Sequence, residues 1–187
     1  EEESLTFGGF IKFFLISYFV MVLLNLFTMG FILVVGKVKG ADVVNPLEGV
    51  ISNSSIWATI IFAGILSPII EEMMFRGVML NKLRRYGDKV AIITTAILFG
   101  LFHANFSQFF YAVALGMIFA YVALKTGTIK YSIIIHIVVN IMGGVILPAV
   151  IGDGSNIVAV GCVGLALLAI VIVGLVLLIK NRKKMWI

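Results

Sequence analysis

At 187 residues the chain is 61% hydrophobic and only 12% charged, against roughly half apolar and a quarter charged in a soluble domain. This excludes an ordinary soluble enzyme and makes residues 1–187 a single transmembrane domain, too short to carry a separate soluble one. The net charge of +5 does not mark nucleic-acid binding, because the basic residues fall in short clusters between apolar runs, where they act as topology determinants.

A helix crosses the hydrocarbon core with about 20 mostly apolar residues. In chain order the sequence predicts an all-α bundle of about six helices: about Phe10 to Val35, Ile56 to Leu80, a short run from Val90 to Ala104, Phe109 to Leu124, Ile129 to Val150, and Ile157 to Ile179. The chain opens on Glu1 rather than Met, as a stretch lacking its native N-terminus would. The first connection, with Gly40 and Pro46, reads as a loop. Ten of the fourteen Lys and Arg fall in alternate segments: the connections after the second and fourth helices, and the tail. The positive-inside rule then places both termini in the cytoplasm. Asn53-Ser54-Ser55 and Asn105-Phe106-Ser107 match the glycosylation pattern, the second too close to the membrane to be a good acceptor. Cys162 is the only cysteine, so neither an intramolecular disulfide nor a thiolate metal cluster is expected.

Ionisable residues are costly in hydrocarbon and point to function when they occur there. The second helix carries Glu71, Glu72 and Arg76. Residues four apart share a helical face, so Glu72 and Arg76 can neutralise each other. Glu71 lies about 100° around the axis; without a local partner it must find one on another helix, and it is the candidate general base. Pro68, one turn upstream, removes a backbone donor and is expected to kink or open the helix. On the third helix Phe99 and His103 share a side, and on the fifth His136 and Asn140 do. The alternative for each is structural: a buried ion pair holding the bundle, and histidines satisfied by packing and hydrogen bonds.

Depth relates the three patterns. At ~1.5 Å per helical residue, Glu71 lies about 20 Å from Arg84, and His103 about 20 Å from Val90. His136 and Asn140 lie about 10 and 15 Å from Ile129 by the same rise. All four fall within one slab of a core ~30 Å thick.

Other intramembrane chemistries find less support. A His-Glu-x-x-His zinc motif and a Gly-x-Ser nucleophile are both absent. Ser132 precedes His136 by one turn and offers only a weak dyad. Asp42, Asp88 and Asp153 read as loop residues, which removes an aspartic pair. If the protein depends on a metal, its ligands would be Glu71, His103 and His136, since two His and a Glu are a known zinc set. Against that, an adjacent His136 and Asn140 make better sense as two donors to one oxygen. No cofactor is therefore expected.

The set Glu71-Glu72-Met73-Met74-Phe75-Arg76, Phe99-Gly100-Leu101-Phe102-His103 and His136-Ile137-Val138-Val139-Asn140 resembles the CAAX-protease and bacteriocin-processing family of membrane proteins, which includes type II CAAX prenyl endopeptidases. The likeness covers about residues 55–150, the expected catalytic core. It implies an intramembrane endopeptidase in which Glu71 and His103 activate a water, while His136 and Asn140 stabilise the oxyanion. Glu72, Arg76 and Phe99 would support them. A peptide or a lipidated protein is the expected substrate and membrane lipid the surroundings; the compact size suggests a prokaryotic plasma membrane. A second reading, also drawn from that family, is a non-catalytic immunity or regulatory protein that binds a partner membrane protein.

Overall fold

The apolar runs form six helices in the computed structural model, which describes residues 4–40, 54–152 and 154–181. They are α1 Phe7–Lys39, α2 Ile56–Tyr86, α3 Asp88–Phe102, α4 Phe106–Thr126, α5 Lys130–Ile151 and α6 Ile157–Asn181. All except α3 are long and apolar enough to cross a membrane, as expected of an integral membrane protein. The 15 residues of α3 reach only about 22 Å. Most of the expected outer loop, with Asp42, Pro46 and Asn53, lies outside the described residues, as do residues 1–3, Asp153 and the basic 182–184.

Helix ends follow local chemistry. Thr6 caps α1 by accepting from the Gly9 amide at 3.1 Å. Asn105 caps α4 by accepting from the Ser107 amide at 3.0 Å, so α4 starts three residues earlier than its apolar run suggests. The side chain of that glycosylation match is thus spent on a helix cap. Asp88 opens α3 rather than lying in a loop, and it accepts from Arg84 Nε at 2.9 Å.

The centre of the bundle is α4. Its Leu115, Phe119 and Val122 pack with Phe13 and Ile16 of α1 and with Ile135 and Val139 of α5. Glycines set the closest approaches. A Cβ at Gly116 would stand 2.9 Å from the Ala96 Cα, and one at Gly100 would stand 3.1 Å from the Phe109 carbonyl. These two positions let α3 and α4 touch backbone to backbone, as small residues do between membrane helices. On the periphery α6 meets α1 at Gly174, against the Leu15 carbonyl and Phe19. Gly116→Ala is expected to cost about 1–3 kcal/mol by overpacking, measured as a lower midpoint of unfolding in mild detergent.

Candidate active site

Two segments of α2 are wound wider than an α-helix, Thr59–Leu66 and Met73–Leu80. In the first, the Ser67 amide donates five residues back, to the Phe62 carbonyl. Continuing that pattern would require an N–H from residue 68 for the Ala63 carbonyl, and Pro68 has none. Asn140 on α5 supplies the missing donor: its Nδ2 donates to Ala63 O at 3.1 Å. The proline therefore opens the helix as expected and thereby creates the docking point for the Asn140 amide. Beside it, Gly64 admits Ile141, whose Cγ1 would be 3.0 Å from a Cβ there.

One turn beyond Pro68 the two glutamates diverge. Glu72 is fully buried and its Oε1 accepts from Arg76 Nη1 at 2.7 Å. The second arm of Arg76, Nη2, donates to the Gly116 carbonyl on α4 at 3.1 Å. The guanidinium also stacks on aromatic rings, 4.4 Å from the Phe99 centroid and 5.4 Å from that of Phe119. Thus α2 is tied to α4 by the hydrogen bond to Gly116 and the cation–π contact with Phe119, and to α3 by the contact with Phe99.

Glu71 does have a local partner, contrary to the sequence reading: Ser67 Oγ, one turn back, donates to its Oε1. Its other oxygen, Oε2, is buried without a hydrogen-bond partner and faces His136 Nε2 at 3.7 Å. The opposite ring nitrogen, His136 Nδ1, lies 3.0 Å from Glu72 Oε1. His136 thus stands between the two glutamates. A carboxylate paired with Arg76 can only accept, so Nδ1 carries a proton and Nε2 is the nitrogen turned toward Glu71.

His103 comes from the end of α3 rather than its interior. It forms the helix C-cap, and Ala104 turns the chain into α4 with a φ of 46°, unusual for a residue with a side chain. Its Nδ1 is 2.8 Å from the Phe99 carbonyl. Since a carbonyl only accepts, Nδ1 is again the protonated nitrogen and Nε2 the base. The Phe99 ring meets both imidazoles edge-on, with centroids 4.9 Å from His103 and 5.7 Å from His136. All three motifs therefore converge on Phe99, with Asn140 one turn from His136.

Among the described residues no group of three His, Cys, Asp or Glu side chains is placed to hold a metal. His136 Nδ1 is taken by Glu72 and Glu71 Oε1 by Ser67, which leaves His136 Nε2 and Glu71 Oε2 facing each other at 3.7 Å. Ser132 is not aimed as a nucleophile; its hydroxyl donates to the Ile129 carbonyl at 2.9 Å. Sequence reasoning missed Ser67 and Tyr111. Tyr111 on α4 packs against the Phe75, Phe99 and Ala112 cluster and lies within electrostatic reach of Glu71. The serine could have been found from its four-residue spacing to Glu71, whereas nothing in the sequence pairs Tyr111 with α2.

Over 82 residues the chain is 33% identical to the UPF0177 protein YxdF of Lactococcus lactis subsp. lactis (strain IL1403). The aligned stretch is 43% of this chain and 45% of that relative, so the match spans about half of the curated protein's length. No solved structure matches. Residues 53–142, which contain all three motifs, match the family described as Type II CAAX prenyl endopeptidase Rce1-like. The resemblance read from Glu71–Arg76, Phe99–His103 and His136–Asn140 therefore holds: residues 53–142, just under half of the chain, are similar to that family.

Proposed function

We propose that the protein is an intramembrane endopeptidase that hydrolyses a peptide bond in a membrane-associated peptide or lipidated protein. The observation that carries this reading is His136 held between Glu72 Oε1 at 3.0 Å and Glu71 Oε2 at 3.7 Å. A buried carboxylate fixes the tautomer of an imidazole, and that imidazole's free nitrogen faces a second carboxylate with an unused oxygen. This is the orientation logic of a catalytic His–carboxylate pair.

In the proposed reaction, water bound at Glu71 Oε2 and His103 Nε2 loses a proton to Glu71, and the hydroxide attacks the scissile carbonyl. The C=O electron pair moves onto oxygen. Neutral His136 cannot donate from Nε2, but it can after accepting the proton passed on by Glu71, and Glu72 then balances the imidazolium. His136 Nε2–H and the second Nδ2 hydrogen of Asn140 donate to the oxyanion, a contribution worth about 10² to 10³ per donor in other hydrolases. Collapse breaks the C–N bond, and the leaving amine takes the proton. Arg76 and Phe99 position these groups without touching substrate.

No step is assigned to a metal. Activity against a membrane peptide substrate is expected to survive exhaustive chelation, with metal content checked by elemental analysis. Loss of activity that stoichiometric zinc restored would reassign Glu71 and both histidines as ligands.

The same bonds also suit a non-catalytic regulator, because Arg76 fastens α2 to α4 and Asn140 fastens α5 to α2. Membrane abundance separates the two readings. A catalytic site predicts that Glu71→Gln and His103→Ala abolish the phenotype while the protein accumulates normally. Under the regulatory reading, both variants keep the phenotype or lose it together with the protein. Bacteriocin or CAAX processing in the plasma membrane of a prokaryote remains the proposed setting.

A further inference from the structure

On the far side of Arg76 from the glutamates, a cavity of about 60 Å³ opens between the end of α2 and the α4–α5 turn. Arg76, Asn81, Arg84, Gly127 and Thr128 line it, and no acidic side chain does. Arg76 is 1% exposed and its Nε has no hydrogen-bond partner. Its other nitrogens are committed, Nη1 to Glu72 and Nη2 to Gly116. An orphaned guanidinium N–H at this depth calls for an acceptor. Arg84 spends only Nε on Asp88, which leaves its two Nη groups to donate. Helix α5 begins beside the cavity; its Lys130 amide donates to Thr128 Oγ1 at 3.4 Å, and the amides that follow in its first turn add to the donors.

From these features we propose that the cavity binds a single small oxyanion, the phosphate of an anionic phospholipid headgroup. The volume suits a headgroup phosphate and falls well short of the ~300 Å³ at which small-molecule sites begin. A lipid source is favoured over free phosphate by position. The cavity lies where the spanning helices α2, α4 and α5 end, among the basic connections that hold Lys82, Arg85, Lys125 and Lys130. Basic pockets between helix ends suit anionic lipid. Val78, three residues before Asn81 on α2, is 51% exposed, an apolar surface near this end of the helix for an acyl chain. Because Arg76 also holds Glu72, the bound phosphate would share the guanidinium with the glutamate pair.

The full chain is placed in phosphatidylcholine nanodiscs with or without phosphatidylglycerol, and lipid retention after gentle release is read by native mass spectrometry. Retention of phosphatidylglycerol but not phosphatidylcholine is expected. Arg84→Gln should weaken it about tenfold or more, the weight of one charge-assisted hydrogen bond. Arg85→Gln removes the same charge from a side chain that lies over Tyr86 and should change it little. If Arg84→Gln does not accumulate, Asn81→Leu, which crowds the cavity, should lower retention similarly. Equal losses in the Arg84 and Arg85 variants would reduce the effect to general surface charge and overturn the assignment. So would retention of inorganic phosphate in place of the lipid, or of neither, which would make the cavity a free-phosphate or a water site.

Discussion

Glu71→Gln is expected to lower kcat/KM by about 10² to 10⁴, the range for a positioned general base, while the protein accumulates and unfolds as the wild type does. Gln keeps the size of the side chain and an acceptor for Ser67, so the packing of α2 is preserved. What it removes is the buried carboxylate oxygen Oε2 that faces His136 at 3.7 Å, the group to which the proposed mechanism gives the proton of water. Ser67→Ala should be far milder, because it removes one hydrogen bond from Oε1 and leaves the base intact. Turnover of a fluorogenic membrane peptide by purified protein checks both. Wild-type turnover by the glutamine variant would sink the mechanism.

The helices were legible in the sequence because hydrocarbon thickness turns apolar run length directly into spans. The errors sit at ends, where polarity misleads: Asn105 and Ser107 look like a loop and are a helix cap with its first turn. Within one helix the four-residue rule also read correctly, giving Glu72 and Arg76 as a pair, and it would have given Ser67 and Glu71 had it been run upstream. Relations across helices follow a different logic. Nothing in the spacing of His136 says that Nδ1 will meet Glu72, because that depends on the rotation of α5 against α2. Rotation is fixed by Gly64 receiving Ile141 and by the Ala63 carbonyl that Pro68 leaves open. In the sequence that carbonyl is invisible, since it exists only if the turn before the proline is wound five residues apart. Tyr111 escaped for a related reason: its place beside the Phe75 and Phe99 cluster depends on how α4 packs against α2 and α3, and a sequence records the glycines of such contacts but not what they approach.

The largest structural effect is expected at Arg76. Arg76→Met removes the positive partner of a fully buried carboxylate, and breaking a buried pair in this way costs about 3–5 kcal/mol. It also strips a donor from the Gly116 carbonyl and the cation from Phe99 and Phe119. Glu72 then has only His136 and the Ser132 hydroxyl beside it to answer its charge. Adding Glu72→Met should return most of the lost stability, because an apolar pair of similar volume leaves no charge buried. It would not return activity, since His136 would have lost the carboxylate that fixes its proton on Nδ1. Stability and catalysis should therefore separate in the double variant: near wild-type unfolding in detergent, yet impaired turnover. Recovery of both would mean that Glu72 serves the fold alone. Recovery of neither would mean that the network binds α2 to α4 through more than charge. Buried ion pairs in other proteins tolerate apolar replacement when their role is structural. This one is expected to tolerate it for folding only, because the same Glu72 oxygen that receives Arg76 at 2.7 Å also receives His136 at 3.0 Å.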